Sequence, residues 1–295
     1  MDRPAWSWGS AGEKSDRTVD PLLGSLTAEA AFGGSTGKGV KVAIVDSGVD
    51  DDHPAVNGCV RGWVEPNVAD DGTATYRTEK HGDAFGHGTA CAGIIHHIAP
   101  DAEIYSVRVL GPRLSGKGPV FAAGVRWAAE NGMHVVNLSL GTTKRDFFGL
   151  FHDIADTAYH RGVTLVTAAN NMPEPSFPSL FASVLSVACH AEARGDDPLE
   201  FYCNPDPPVE FGAHGIDVRV AWARGGYSTI TGNSFAAPHI TGVVALLLAK
   251  HPGLRPYEVK AVLAALARNA RSGDGGSAPK PPVADGGSAP KPPAP

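Results

Sequence analysis

Three short stretches of this chain carry residue types that do acyl-transfer chemistry when brought together. They are "VDSGVD" at Val45 to Asp50, "GHGTACAG" at Gly86 to Gly93 and "GNSFAAP" at Gly232 to Pro238. A hydroxyl attacks a carbonyl carbon, an imidazole takes its proton, and a carboxylate holds the imidazole in the right tautomer. Ser234, His87 and Asp46 are the candidates for those roles. Each sits among glycines, alanines or hydroxyl residues that leave room for a substrate backbone. Taken singly, a helix-start serine is a cap, a lone histidine is structural and an Asp-Ser-Gly is a turn. Their joint occurrence is what points to catalysis.

The elements that must position them are legible from apolar periodicity. "VKVAIVDSG", Ala102 to Leu110, Met133 to Gly141, Gly162 to Asn170 and Ser183 to His190 are short, nearly continuous apolar runs. Such runs suit strands buried on both faces. Helical stretches separate them: "VFAAGVRWAAENG", stopped by Asn131-Gly132, "FFGLFHDIADTAYHRG", "SFAAPHITGVVALLLAKHPG" and the amphipathic "PYEVKAVLAALARNA". The alternation predicts an α/β fold, a parallel central sheet with helices on both faces. Function in such folds gathers at the carboxyl ends of strands. Asp46, Ser139-Leu140-Gly141 and Asn170-Asn171 end three of the runs, while His87 and Ser234 start helices. The free amides of the first turn at Ser234 also point at a reacting carbonyl.

Composition bounds the rest. The chain has 295 residues, 42% of them hydrophobic, and a formal net charge of -6. That balance argues against a nucleic-acid partner or an anionic membrane surface, and no apolar run is long enough to span a bilayer. Residues 1–20 read as a polar arm bearing Trp6 and Trp8, 21–271 as one catalytic-sized domain, and 272–295 as a Gly/Ser/Pro/Lys repeat, "DGGSAPKPP" occurring twice. A further domain or partner beyond that proline-rich tail is allowed for. The start lacks an apolar signal-peptide core, so the cytoplasm is the expected location, with secretion expected only of a trimmed N-terminus. Cys59, Cys91, Cys189 and Cys203 form no C-x-x-C pair and read mostly as free thiols, with a Cys189–Cys203 bridge left open for an exported form.

The order Asp, His, Ser with "DSG", "HGT" and "G-x-S-x-A-x-P" resembles the subtilisin-like serine proteases, the subtilases. The likeness covers roughly Pro21 to Ala270, including "IYSVRVLG", "GVRWAAENGMHVVNLSLG" and "VTAANN". It implies a three-layer sandwich and a serine endopeptidase in which Asp46 orients, His87 is base and then acid, and Ser234 is the nucleophile. It also implies that Asn171 is the oxyanion asparagine, with Asn170 the fallback one residue away. Leu114-Ser115-Gly116 and Ser139-Leu140-Gly141 resemble the two edges that hold a peptide or protein substrate as an added extended strand. Ala168-Ala169-Asn170 then floor the pocket for the residue before the cut, flanked by Leu140 and Gly141.

Departures from the family pattern carry their own expectations. Asn233 replaces the threonine that usually precedes the nucleophile near the oxyanion site; asparagine can also donate there, so activity is expected to survive. The stretch Gly93 to Pro100 lacks the inserted loop that holds a tight calcium ion in many relatives, so no cofactor or metal site is expected, and His96-His97 read as surface histidines. Weak calcium binding elsewhere stays open. The N-terminal arm is short for the family's inhibitory propeptide, and an arm around Trp6 and Trp8 lying over the cleft is one form of control. Cys91, one helical turn after His87, resembles the proteinase K and thermitase branches and reads as an inert buried thiol rather than a reactive one. Glu174 reads as solvated rather than as a determinant of specificity. Two roles outside a dedicated maturation protease stay open: a catalytically silent peptide-binding module, and a broad turnover protease.

Overall fold

A computed structural model describes residues 26–270. The arm with Trp6 and Trp8 and the repeat tail lie outside the described residues. Seven parallel strands form the centre: β1 (Lys41–Asp46), β2 (Val60–Val68), β4 (Glu103–Arg108), β5 (Val135–Leu138), β6 (Thr164–Ala168), β7 (Leu185–Cys189) and β9 (Phe211–Ala213). Two short antiparallel strands, β3 (Ala74–Arg77) and β8 (Tyr202–Cys203), finish the edges, giving the order β3-β2-β4-β1-β5-β6-β7-β9-β8. A separate hairpin pairs β10 (Val218–Trp222) with β11 (Gly226–Ile230).

The five strands expected from continuous apolar runs are β1, β4, β5, β6 and β7. Every residue of β5, β6 and β7 is buried, as strands covered on both faces require. One face carries α3 (Gly118–Glu130) and α4 (Phe148–His160), whose Phe121, Phe151 and Ile154 pack with Val107, Val136 and Leu165. The other carries α2 (His87–Ile98), α5 (Asn233–Lys250) and α6 (Pro256–Leu266) over Val42, Ile44, Val166 and Val187. A short α1 (Ala28–Phe32) docks beside α5 through Phe32. This is the three-layer α/β sandwich.

The apolar surround of α5 explains its composition. Fourteen of its residues are buried, so it is hydrophobic all round, as a central helix must be. Truncating a side chain such as Leu247, which is fully buried, is expected to cost about 2–5 kcal/mol.

β1 lies between β4 and β5, so the chain winds outward from it in both directions. That is the topological switch point, where the loops at the strand ends part and leave a crevice. Asp46 is the last residue of β1.

The Cys189–Cys203 bridge kept open by the sequence does not form. Cys189 pairs with Ala213 and Cys203 with Phe211, so β9 lies between the two cysteines. Two strand spacings amount to about 9.5 Å, beyond the Cα separation a disulfide spans. All four cysteines carry buried thiols.

Candidate active site

Asp46 is fully buried at the end of β1, and its two carboxylate oxygens each lie 2.9 Å from His87 Nδ1. The Ser47 N–H donates to Oδ1 at 2.7 Å. An ionised carboxylate only accepts, so the imidazole carries its proton on Nδ1 and turns the Nε2 lone pair outward. Burial of His87 pulls its pKa down, but the charge of Asp46 and its hydrogen bond outweigh that pull, and the net position is above the ordinary 6.5.

His87 opens α2, and the loop before it is built to bring that helix start close to β1. Gly86, at φ 120°, makes the turn. A Cβ on Gly88 would strike the Gly48 carbonyl, so the first turn of α2 reaches the end of β1 because residue 88 has no side chain. Asp83 holds the arrangement. Its Oδ1 accepts from the Ser47 hydroxyl at 2.7 Å and the Gly86 N–H at 2.7 Å, and its Oδ2 accepts from the Thr89 N–H at 2.8 Å and the Thr89 hydroxyl at 2.6 Å. A carboxylate at the positive end of α2 satisfies amides that the helix leaves open. Sequence reasoning passed over Asp83; an acid four residues before a helix-starting histidine is the signal that could have found it.

Ser234 is the second residue of α5. Pro238, four residues on, has no N–H, so the Ser234 carbonyl lacks its helical partner. The Ser139 hydroxyl replaces it at 2.8 Å, and the Cys91 thiol approaches the same oxygen at 3.8 Å. Ser139 is itself held by Asn137 Nδ2 at 3.0 Å, and Asn137 Oδ1 accepts from the Thr241 hydroxyl at 2.9 Å. Asn137 and Thr241 are further residues the sequence reading missed. A polar side chain inside the apolar strand "HVVNLSL" needs a buried partner, and that is a readable signal.

The Ser234 hydroxyl donates to the Ser139 carbonyl at 3.1 Å. It is not hydrogen-bonded to His87 in this conformation, although both residues line the same cleft of about 490 Å³.

Asn171 accepts the Asn233 N–H on its Oδ1 at 2.9 Å, which leaves the Nδ2 group directed away from that bond. Neither Nδ2 nor the Ser234 N–H has a partner among the described residues. Asn170 behaves differently: its side chain accepts from the Met172 N–H at 3.0 Å and closes a local turn. Of the two, the side chain tied to the start of α5 is therefore that of Asn171.

Asn233 does not reach the cleft. It is fully buried, its Oδ1 accepts from the Cys189 N–H at 2.9 Å, and its Nδ2 lies 3.2 Å from both the Ala169 and Asn170 carbonyls. The expectation that it donates near the oxyanion is corrected: it ties α5 to the ends of β6 and β7 instead.

Leu114, Ser115, Gly116, Ser139, Leu140, Gly141, Ala168, Ala169 and Asn170 all line the cleft with His87, Asn171 and Ser234. Leu110, Phe121 and Phe147 deepen its apolar end, and Lys117 and Lys144 border it. Glu174 is exposed and is not among the lining residues. Cys91 is fully buried, and desolvation with the nearby Asp46 charge keeps its thiol protonated, so it is not a nucleophile here. Asp46, His87 and Cys91 form the one group among the described residues whose metal-binding atoms all come within 4.8 Å. α2 runs unbroken through Gly93 and His96-His97.

Comparison with known proteins bears on this geometry. The Subtilase family model matches residues 37–280. The chain is 32% identical over 238 residues to the M-protease of Shouchella clausii (strain KSM-K16), covering 77% of this chain and 58% of that protein. It is 32% identical, again over 238 residues, to Subtilisin Savinase of Lederbergia lenta, covering 77% of this chain and 82% of that one. Among solved structures, a cold adapted subtilisin-like serine proteinase aligns with TM-score 0.60 and 27% identity over 84% of this chain and 87% of that chain. No helix among the described residues is long and apolar enough to cross a membrane. With sequence, fold and family model in agreement over most of its length, the chain belongs to the subtilase family.

Proposed function

We propose that the protein is a serine endopeptidase that cleaves peptide bonds through an acyl-enzyme. The observation that carries this reading is the buried Asp46–His87 pair at 2.9 Å, opening onto the cleft that Ser234 also lines. In the proposed reaction a peptide lies along Leu114–Gly116 and Ser139–Gly141 as an extended strand. The Ser234 hydroxyl turns from the Ser139 carbonyl to His87 Nε2, which frees that carbonyl for a substrate N–H. Oγ attacks the scissile carbonyl as its proton passes to Nε2. Asn171 Nδ2 and the Ser234 N–H stabilise the oxyanion. The imidazolium, held by Asp46, gives its proton to the leaving amine, and a water repeats the cycle on the acyl-enzyme. Asp83, Asn137, Thr241 and the Ser139 hydroxyl position these groups without touching the reacting atoms.

The chemistry needs no metal: each proton and charge has a protein partner, and α2 is continuous where many relatives carry the calcium-binding insertion. An intracellular site of action fits four buried thiols and no disulfide among the described residues. Maturation of a limited set of substrates fits better than general turnover, because the end of the cleft walled by Leu110, Phe121 and Phe147 reads a side chain as well as a backbone. Digestion of denatured casein beside a random peptide library tests the reading. Cleavage at a narrow set of sites, abolished by Ser234→Ala, is expected. Rapid dispersed cleavage would contradict the maturation role, and no Ser234-dependent cleavage of either would leave a silent binding module.

A further inference from the structure

The charge of the cleft runs against that of the chain. The protein as a whole carries a formal -6, yet the residues lining the cleft include two lysines, Lys117 and Lys144, and no carboxylate. Both lysines are exposed. Neither ammonium group has a hydrogen bond or an ion pair with any of the described residues, whereas Lys80, Lys250 and Lys260 each have partners. A cation that has no internal partner and borders a concave surface is available to a ligand.

Backbone polarity adds to the same sign. Lys117 is the N-cap of α3, whose first turn holds no acidic residue and whose cap makes no side-chain hydrogen bond. Gly118, the first residue of that helix, lines the cleft, so the positive end of the helix dipole lies beside the lysine. Gly118 allows the close approach of Phe147, whose ring a Cβ at residue 118 would hit. Phe147 and Phe121 line the same cleft as the two lysines and give it an apolar wall. Both ammonium groups face solvent, so each charge contact has ordinary surface strength and weakens with salt. Asp146, two residues after Lys144, does not line the cleft, and neither does Glu174.

We infer that the cleft selects peptide segments carrying acidic side chains near the scissile bond, with Lys117 and Lys144 as the specificity-determining residues. This rests on the reading of the cleft as the substrate groove. The apolar wall takes the methylenes of a glutamate while its carboxylate meets an ammonium group at the border. The same field raises the encounter rate of acidic substrates and disfavours basic ones.

The test is kcat/KM on three peptides that share one scissile bond and differ only at neighbouring positions, scanned one and two at a time within five residues of the cut. One set carries Glu, one Gln and one Lys. The expected Glu-to-Lys ratio is about 10-fold, from two exposed charge contacts of ordinary strength. It falls to below one in the double variant Lys117→Glu/Lys144→Glu, approaches one in Lys117→Gln/Lys144→Gln, and narrows as salt rises to about 0.5 M. A ratio near one or in favour of Lys, with the Gln peptides cleaved, overturns the acidic preference and leaves the protease reading standing. Failure to cleave all three sets overturns the protease reading and this inference with it.

Discussion

The Ser139 hydroxyl donates at 2.8 Å to the main-chain carbonyl of Ser234, the oxygen that Pro238 deprives of its helical partner. The proline four residues after the candidate nucleophile thus opens the helix's first turn, and the serine that follows β5, a strand α5 packs against, closes it. Asn137 and Thr241 extend the link into the core.

Ser139→Ala is therefore expected to lower stability by about 1–3 kcal/mol, since a part-buried acceptor loses its donor and keeps only a long thiol contact. Because the displaced group is the main chain of Ser234, kcat should fall more than KM rises, and Ser139→Thr should restore much of both. Denaturant titration with steady-state kinetics checks this. A variant with unchanged midpoint and unchanged kcat would show that the link positions nothing.

The Asn171 side chain bonds to the start of α5 and that of Asn170 to the Met172 N–H, and the roles proposed for them differ accordingly. Asn171→Ala should cut kcat by the two to three orders of magnitude that loss of one oxyanion donor costs in a subtilisin, with little change in KM. Asn170→Ala removes a turn contact to Met172 and should stay within about 10-fold of the parent. The reverse pattern would move the oxyanion donor one residue back.

This pair illustrates what the sequence can and cannot convey. The central strands were readable because burial on both faces demands apolar runs, and Asp46, His87 and Ser234 because catalysis demands small neighbours. Asn170 and Asn171 were distinguishable only by resemblance, since both end the same strand. β2 and β3 went unseen: β2 alternates buried and open residues and contains Pro66, and β3 is largely exposed, so neither leaves an apolar run. Asn233 was misjudged because a chain cannot show which way a polar side chain turns. Lys117 and Lys144 look like ordinary surface charges until the fold sets them on one cleft.

The pH dependence follows from His87. It must be neutral to accept the serine's proton, and the Asp46 charge and hydrogen bond, prevailing over desolvation, hold its pKa above the ordinary 6.5. In kcat/KM, activity is lost as pH falls through that raised value, so the acid limb should have its midpoint above 6.5. Asp46→Asn removes the two raising influences of Asp46 and leaves the smaller one of Asp83; the limb should move to lower pH while the rate drops by about 10⁴-fold. A midpoint below 6.5 in the parent, or an unmoved limb in the variant, would contradict the coupling.

The thiols should be silent in the folded state. Burial holds Cys91 protonated, pushes Cys59 up to about 12 and, with Glu210, pushes Cys203 up to about 11. An aromatic disulfide reagent at neutral pH should react with few or none of the four thiols until denaturant is added, and then with all four. Rapid loss of activity on thiol modification of the native protein would show Cys91 to be accessible.

The central claim is that Asp46 and His87 activate the Ser234 hydroxyl, and a fluorophosphonate probe followed by peptide mapping tests it most directly. The account predicts one adduct per folded molecule, on Ser234, absent from Ser234→Ala and strongly slowed in His87→Ala. A folded protein that takes up no probe, or takes it up at another serine, would contradict it.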